Sequence, residues 1–259
     1  MATVRVNGIE LYYELHGAGE PVVLIQGLGA NITGWDLQLE PLSRQYQLIA
    51  FDNRGAGRSE KPEEPYSIHQ MADDTAALMD ELGIESAHVV GHSMGGMLAA
   101  ELAALCPHRV RRLVLANPVG LWRDDEPVLD EFTLSPDQLA PHIWHDPQSE
   151  AVKEAFPAPE GKDAIVEMLF QRMQSYTSAG KFLWPIPDRG LKRRIHRIQS
   201  PTLIVWGESD RLVPPSYAED FRSRIKNAQV VILPECAHMP MFEKRDDFVA
   251  LVTDFLNGD

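Results

Sequence analysis

The sequence predicts an α/β protein, with a mostly parallel, eight-stranded sheet, helices on both faces and an inserted helical cap. Short, continuously apolar runs recur along the 259 residues and are typical of strands buried on both faces. Segments with helical periodicity lie between these runs, and this alternation predicts a parallel sheet. One long segment without strand patterns interrupts the alternation and indicates an insertion.

The predicted strands begin with a hairpin. Asn7-Gly8 joins the first two, and this dipeptide is typical of a tight turn between antiparallel strands. The six strands that follow are short, and the first of them starts at Pro21. In chain order, the predicted strands cover residues 3–6, 9–15, 21–26, 47–51, 86–90, 110–116, 202–206 and 229–233.

The clearest helical pattern covers residues 68–82, which have one apolar face at a period of 3.6 residues. Ser67 and Gln70 have the spacing of a capping box before it, and Gly83 is a typical helix end. The next predicted helix covers residues 94–105. The last two predicted helices cover residues 215–225 and 244–256.

Residues 1–118 and 198–259 are predicted to form the core domain, and residues 119–197 the cap. Because the cap segment enters after one core strand and leaves before the next, it should cover the carboxyl edge of the sheet, where open α/β folds bind ligands. Within it, a stripe at helical spacing has two interpretations: packing against the core, or an apolar wall of the pocket. Its members are Ile165, Met168, Leu169, Arg172, Met173 and Tyr176.

The most specific signal is Gly91-His92-Ser93-Met94-Gly95, which follows an apolar strand and precedes a helix of small residues. That context is typical of a nucleophile elbow, a turn so tight that the serine backbone is strained and both glycine positions must be small. Ser93 is therefore the candidate nucleophile, held at the carboxyl end of its strand. The N–H of Met94 would point into the same space as an oxyanion donor.

A serine nucleophile needs an imidazole base and a carboxylate that orients the imidazole. His238 is the candidate base, because it lies in the loop between the last strand and the last helix, at the same sheet edge as Ser93. Asp210 is the candidate acid, in the loop that leaves the strand at 202–206.

Three other carboxylates remain candidates for the acid. Glu208 lies in the same loop as Asp210, two residues nearer the strand, and Asp124 and Asp125 follow an earlier strand. All of them come after strands of the predicted sheet, so this position alone does not separate them. The sequence favours Asp210 and leaves the others open.

The second oxyanion donor should come from a turn after an earlier strand. Gln26-Gly27-Leu28-Gly29 is such a turn, and its glycines let the backbone approach a substrate. The N–H of Leu28 would pair with that of Met94, unless the segment is an ordinary glycine-rich turn.

The chain resembles the α/β-hydrolase superfamily, in particular its small bacterial capped esterases, over essentially its whole length. The elbow, the Asp210 loop and the His238 loop match in order, and residues 52–59 match the family's Asp-x-Arg-Gly-x-Gly-x-Ser loop. The resemblance implies the α/β-hydrolase fold, a triad of Ser93, Asp210 and His238, and a supporting role for the 52–59 loop.

Two details refine this resemblance. Gln26 precedes Gly27 where many relatives have histidine, a change that need not impair activity, because the oxyanion donor is a backbone amide. A serine at position 93 argues against haloalkane dehalogenase and epoxide hydrolase chemistry, both of which use an aspartate at the elbow.

Composition and charge exclude several classes of partner. Lys and Arg total 24 and Asp and Glu 38, and the net charge of −14 argues against nucleic acid or an anionic membrane. Cys106 and Cys236 suit two buried thiols in a reducing compartment. The amino terminus lacks a signal-peptide pattern, and no apolar stretch reaches the length of a membrane span. We therefore expect a cytoplasmic protein, monomeric or homodimeric.

Metal binding is not expected. His142 and His145 have helical spacing, but no third ligand is evident, and Pro141 and Pro147 indicate a short or broken element.

Together these observations predict a carboxylesterase that needs no cofactor or metal and acts on a small apolar or aromatic ester. The same triad also serves carbon–carbon bond hydrolysis of vinylogous diketones, lactone opening and cofactor-free perhydrolysis, and these remain open. A ligand receptor on a hydrolase fold, with little turnover, is the alternative outside enzymes. The expected pocket residues are Trp35, Trp122, Trp144, Met168, Trp184 and Met239.

Overall fold

The computed structural model describes residues 2–155, 160–186 and 188–258. Residues 156–159 and 187 of the predicted cap lie outside this part of the chain. The described residues contain one eight-stranded sheet, as predicted, with strand ends within two residues of the expected positions. The strands are β1 (Ala2–Val6), β2 (Ile9–His16), β3 (Glu20–Ile25), β4 (Tyr46–Phe51), β5 (Ala87–His92), β6 (Val110–Ala116), β7 (Thr202–Gly207) and β8 (Ala228–Leu233).

The strands lie in the order β1-β2-β4-β3-β5-β6-β7-β8. β2 pairs antiparallel with β1 and β4, and the other neighbours pair in parallel. Asn7 and Gly8 turn the β1–β2 hairpin with left-handed φ angles of 46° and 81°. In the centre, Gly91 of β5 pairs with Ile25 on one side and Leu115 on the other, so these strands end at a common edge.

Helices lie between the strands and match the four predicted ones to within two residues. They are α1 (Asp36–Ser43), α2 (Ile68–Glu81), α3 (Met94–Leu105), α4 (Pro136–Ile143), α5 (Glu150–Ala155), α6 (Lys162–Leu183), α7 (Tyr217–Arg224), α8 (Pro240–Glu243) and α9 (Arg245–Asn257). Half of the predicted capping box is present: Ser67 accepts from the Gln70 N–H at 3.0 Å, but the Gln70 side chain bonds to Asp74. Among the described residues, no helix combines the length and apolar composition needed to cross a membrane.

Both faces of the sheet are buried, which explains why its strands are continuously apolar. Val23 and Ile25 face a cluster shared with α2 and α3, whereas Val22 and Leu24 face the opposite cluster, shared with α1 and α9. This two-sided packing fixes the ends of the central strands and therefore the loops that leave them.

The segment between β6 and β7 forms α4, α5 and α6, with no strand among its described residues. Its longest helix, α6, covers two loops at the carboxyl edge of the sheet. A Cβ on Gly29, after β3, would lie 2.7 Å from the Tyr176 ring, and a Cβ on Gly55, after β4, would lie 2.5 Å from Ser178.

The predicted stripe on α6 is largely exposed. Ile165, Met168 and Leu169 are 41–45% exposed, and Met173 is 67% exposed. For these four residues the core-packing interpretation is wrong, because helical spacing identifies a shared face but not what covers it, and the pocket-wall interpretation stays a prediction. Tyr176, at the end of the stripe, is half-buried and does reach the core.

Candidate active site

Ser93 lies in a strained turn between β5 and α3. Its φ and ψ of 53° and −117° are rare for a residue with a side chain, and its N–H donates to the Ala116 carbonyl at 3.0 Å. A Cβ on Gly91 would lie 2.4 Å from the Gly95 carbonyl oxygen, and a Cβ on Gly95 would lie 2.1 Å from the Ile25 carbonyl oxygen. Both positions therefore require glycine, although at Gly95 the obstacle is β3 and not the turn itself.

Three side chains from separate loops meet at this turn. The Ser93 hydroxyl lies 2.9 Å from Nε2 of His238, and Nδ1 of His238 lies 2.8 Å from Oδ2 of Asp210. All three residues are at most 4% exposed. In the neutral tautomer with its proton on Nδ1, His238 donates to Asp210 and can accept the proton of Ser93.

Asp210 is held in place through both carboxylate oxygens. Oδ1 accepts the N–H groups of Leu212 and Val213, each at 2.9 Å. Oδ2 accepts from the Asn117 side-chain amide at 2.6 Å as well as from His238. The carboxylate is therefore fixed before any substrate binds.

The other acid candidates lie elsewhere. Glu208 is exposed, Asp124 accepts from the Trp122 indole at 3.0 Å, and Asp125 pairs with Arg123 at 2.8 Å. The structure thus brings Asp210, and none of these three, to the candidate base.

Asn117 and His92 belong to the same cluster, and the sequence analysis missed both. Asn117, at a left-handed φ of 44° directly after β6, also donates to the Ala237 carbonyl at 3.2 Å. His92 donates from Nε2 to the His238 carbonyl at 2.8 Å, with the two imidazole centroids 5.0 Å apart. An asparagine at the end of a parallel strand and a histidine within the elbow were the available signals, but neither indicates where the side chain points.

The two imidazoles differ in protonation. Burial lowers the pKa of His238, but the charge and hydrogen bond of Asp210 raise it, and the net shift is upward from 6.5. Burial, together with the charge of His238, lowers the pKa of His92 to about 3. His92 is therefore neutral near pH 7, and His238 is the imidazole that can exchange a proton there.

The glycine-rich turn after β3 lies beside the serine, since a Cβ on Gly27 would be 3.1 Å from the Ser93 Cβ. Within residues 2–155, 160–186 and 188–258, neither the Leu28 N–H nor the Met94 N–H donates a hydrogen bond. Both groups are therefore unpaired donors among these residues: that of Met94 is at the amino end of α3 directly after Ser93, and that of Leu28 follows Gly27. This arrangement is compatible with the predicted pair of oxyanion donors.

The 52–59 loop supports this region. The two oxygens of Asp52 accept backbone N–H groups at 2.6 and 2.8 Å, the second from Arg58, while Arg54 and Asp74 form a buried, two-pronged ion pair. Gln26 is 2% exposed, and its side-chain amide has no hydrogen-bond partner among the described residues.

A polar roof, defined here as Glu131, Arg172 and Tyr176, covers the turn after β3. The Tyr176 ring lies against Gly29, and its hydroxyl donates to Oε2 of Glu131 at 3.1 Å. The Arg172 guanidinium lies 5.2 Å from the centre of the same ring, with Nη2 3.4 Å from the hydroxyl. In the sequence, helical spacing places Arg172 and Tyr176 in the α6 stripe, and no pattern indicates Glu131, because a carboxylate in a loop belongs to none.

Three of the predicted pocket residues lie either in the core or at the surface. Trp35 is 1% exposed in the core, where it stacks on Phe248 of α9 at 6.5 Å between ring centroids. Met168 and Trp184 are 45% and 56% exposed. A large apolar residue indicates a contact without specifying its neighbour, so the burial of Trp35 and the exposure of the other two give these predictions no support, and they stay predictions.

The other three pocket residues stay predictions. Met239 follows His238 directly and is half-buried. Trp144 is buried with its ring against Phe242, 6.3 Å between centroids, and Trp122 is half-buried.

The described residues contain no group of three or more His, Cys, Asp or Glu side chains arranged to bind a metal ion. Nδ1 of His145 instead lies 2.8 Å from the Ser209 hydroxyl. Cys236 is buried as expected, Cys106 is partly exposed, and neither forms a disulfide.

A strained serine at the end of a parallel strand, linked through a histidine to a buried carboxylate, is the arrangement found in α/β hydrolases. The chain belongs to the Alpha/beta hydrolase family, whose sequence model matches residues 22–251. The fold and the resemblance inferred from the sequence are thereby confirmed.

Several similar proteins with names or solved structures are hydrolases of different kinds, although the chain is also 32% identical over 264 residues to a protein of Cupriavidus necator named a dihydrolipoyllysine-residue acetyltransferase component of an acetoin cleaving system, covering 98% of this chain and 68% of that protein. The chain is 45% identical over 243 residues to the "Putative carbamate hydrolase RutD" of Azorhizobium caulinodans, covering 88% of each chain. It is similar to the structure of a meta-cleavage product hydrolase from Pseudomonas fluorescens IP01 (TM-score 0.82, 26% identity, 99% and 97% covered). It is also similar to the enol-lactonase from Burkholderia xenovorans LB400 (TM-score 0.75, 28% identity, 99% and 100% covered). These likenesses support hydrolase activity in general.

Proposed function

We propose that the protein is a serine hydrolase that cleaves a small carboxylic ester through an acyl-enzyme on Ser93. The observation that carries this proposal is the unbroken series of hydrogen bonds from Ser93 through His238 to Asp210, at 2.9 and 2.8 Å. The substrate's apolar or aromatic character, expected from the sequence, loses support, because Met168 and Trp184 are exposed.

In the first half-reaction, Ser93 Oγ attacks the ester carbonyl while Nε2 of His238 takes the hydroxyl proton. The carbonyl oxygen becomes an oxyanion, for which the N–H groups of Leu28 and Met94 are the proposed donors, each contributing roughly 3 kcal/mol. Asp210 stabilises the imidazolium by charge and hydrogen bond. The tetrahedral intermediate collapses, the alcohol leaves with the proton from His238, and the acyl group stays on Ser93.

In the second half-reaction, His238 takes a proton from water as the water oxygen attacks the acyl carbonyl. The second tetrahedral intermediate releases Ser93 Oγ, which regains the proton from His238, and the free carboxylic acid leaves. The two half-reactions together consume one ester and one water and need no further reactant.

The test is steady-state hydrolysis of p-nitrophenyl esters of increasing acyl length, by the native chain and by Ser93→Ala. Turnover that depends on Ser93 supports the proposal, and a chain-length optimum measures the acyl pocket. Ser216→Ala is the matched control, since Ser216 is exposed and its hydroxyl donates to Glu126, with no hydrogen bond to Ser93, His238 or Asp210 among the described residues. Activity that survives Ser93→Ala would sink the assignment.

A carbamate is a second candidate substrate, supported by the 45% identity to the protein named a carbamate hydrolase. Attack on a carbamate carbonyl uses the same nucleophile and base, with an amine in place of the alcohol as leaving group. Ser93-dependent release of ammonia and carbon dioxide from carbamate, above the spontaneous rate and without ester turnover, would favour this candidate.

Carbon–carbon hydrolysis and lactone opening also remain candidates, since the two similar structures are named for such reactions. Loss of the absorbance of a ring-cleavage diketone would detect the first, and base uptake during opening of a lactone the second. Tight ligand binding without multiple turnovers would instead favour the receptor alternative.

A further inference from the structure

The polar roof supplies a charge that the proposed reaction does not use. Ser93, His238 and Asp210 complete the proton transfer by themselves, and the oxyanion donors are backbone groups. Glu131 is not part of either set, yet it lies on the segment before α4 and accepts from Tyr176, which packs against the turn beside Ser93. The proposed reaction therefore leaves this carboxylate without a function, although it lies close to the reacting groups.

Contacts connect Glu131 to the site step by step. Gly27 lies against Ser93, Gly29 lies against the Tyr176 ring, and the Tyr176 hydroxyl donates to Oε2 of Glu131. Oε1 of Glu131 forms no hydrogen bond with any of the described residues, and the side chain is only half-buried. One carboxylate oxygen is therefore fixed by the roof, and the other is free to meet a ligand.

The pKa shifts of Glu131 and His238 also indicate that the two side chains lie close enough to interact. Burial raises the pKa of Glu131, and the largest opposing effect is the charge of His238, ahead of the Tyr176 hydrogen bond and the Arg172 charge. Glu131 acts in return on His238 and raises its pKa. The charge of Arg172 also lowers the pKa of Glu131, but among the described residues its guanidinium forms no ion pair with the carboxylate and lies against the Tyr176 ring.

We propose that Glu131 is a specificity-determining residue that favours substrates carrying a positively charged, ammonium-type group and disfavours substrates carrying a second carboxylate. This inference rests on the proposed serine-hydrolase function and adds the substrate class. A cation near Oε1 of Glu131 replaces lost hydration with a direct charge interaction, whereas a carboxylate there meets like charge in a partly desolvated space. The net charge of −14 acts in the same direction at long range.

Esters matched in shape test the proposal. On the acyl side we would compare the p-nitrophenyl esters of 4-(trimethylammonio)butyric acid, which is cationic, and of 5,5-dimethylhexanoic acid, which is neutral. The anionic member of the series is the p-nitrophenyl monoester of glutaric acid. On the alcohol side we would compare acetylcholine with 3,3-dimethylbutyl acetate, by titration of the released acid. Glu131→Gln removes the charge but keeps an acceptor for Tyr176, and Asp130→Asn is the matched control, one residue away with the same change of charge.

In Glu131→Gln we expect kcat/KM for the cationic ester, divided by kcat/KM for its neutral isostere, to fall by about tenfold. This fall should occur in the acyl series or in the alcohol series, according to which side of the ester faces the roof. The ratio should stay unchanged in Asp130→Asn, because asparagine can also cap the Phe132 N–H. An unchanged ratio in Glu131→Gln on both sides would overturn the proposal. An equal loss for all esters, with a shifted pH profile, would also overturn it, because Glu131 would then act through His238.

Binding to an inactive enzyme separates this proposal from the proposed function. In Ser93→Ala, calorimetry should give a lower Kd for the cationic ester than for its neutral isostere, and adding Glu131→Gln should remove the difference. Absence of turnover by the native chain would count against the proposed function alone. Equal Kd values for the matched esters in Ser93→Ala would count against the role of Glu131 alone.

Discussion

Replacing Asp210 with asparagine tests the orientation of the candidate base most directly. The change removes one charge and exchanges one oxygen for an NH2 group without altering the shape of the side chain. Because Oδ1 of Asp210 accepts two backbone N–H groups at 2.9 Å, from Leu212 and Val213, the amide oxygen of the variant must take that position. The NH2 group then faces Nδ1 of His238.

This orientation forces the wrong tautomer. An NH2 group can only donate, so Nδ1 of His238 must become the acceptor, and the proton moves to Nε2. The Nε2–H then points at the Ser93 hydroxyl, 2.9 Å away in the native protein, and cannot take its proton. We expect kcat to fall by roughly 10⁴, as for the same change in a serine protease, which is about 5 kcal/mol of transition-state stabilisation.

The assay is initial-rate hydrolysis of the best p-nitrophenyl ester, with thermal unfolding to check the fold. The melting temperature should fall only modestly, because both backbone hydrogen bonds to the side chain remain, whereas the Asn117 amide loses its acceptor at the Oδ2 position. Glu208→Gln is the control, since it makes the same chemical change at an exposed residue of the same loop and should leave the rate unaltered. A loss of less than about tenfold in Asp210→Asn would refute the reasoning, because the tautomer would then not depend on Asp210.

Three further predictions concern stability and pH. Gly95→Ala should destabilise the fold by about 3 kcal/mol or more in urea unfolding, because its Cβ would lie 2.1 Å from the Ile25 carbonyl oxygen. Gly180→Ala, in α6 with Phe132 3.7 Å from the new Cβ, should instead be neutral or stabilising by up to about 1 kcal/mol, and equal losses for the two variants would contradict this account. Arg54→Met should cost about 3–5 kcal/mol by the same measurement, since Asp74 would keep a buried charge without its ion-pair partner, and a loss below about 1 kcal/mol would argue against that ion pair. In a pH profile, kcat/KM should fall as the pH is lowered through the raised pKa of His238, because the protonated imidazole cannot accept a proton, and a midpoint below 6.5 would contradict the predicted net effect of Asp210.

The sheet, and the meeting of Ser93, His238 and Asp210 at one of its edges, could be predicted from the sequence for one physical reason. Strands buried on both faces must be apolar throughout, so they are visible in the sequence, and the loop after each parallel strand must reach the same edge. Ser93, Asp210 and His238 each follow such a strand, and chemistry then selects them from their neighbours. Helix α1 was missed, because Pro41 lies inside it and its apolar pattern is weak.

Residues that depend on side-chain direction could not be predicted in this way. Asn117 follows a strand as Asp210 does, but only its left-handed backbone turns the amide towards Asp210. Trp35 has the composition of a pocket residue, yet the stacking on Phe248 places it in the core. In both cases the deciding contact is with a residue far away in the sequence, and no local pattern records it.

Substrate selection, like the positions of Asn117 and Trp35, depends on the directions of side chains. In the proposed reaction Ser93, His238 and Asp210 serve the attack on a carbonyl and do not choose among substrates. Similar structures carry names as different as meta-cleavage product hydrolase and enol-lactonase, so we expect the substrate to be selected by residues that surround the carbonyl. Here α6 turns apolar side chains such as Met173 towards solvent and a polar side chain, Tyr176, towards the turn beside Ser93. A purely apolar acyl chain would find little on this face of α6 to bury it, and would leave the free oxygen of Glu131 desolvated without a partner. A substrate with a positive charge avoids that cost, which is why the roof, rather than the triad, points to the class of ester.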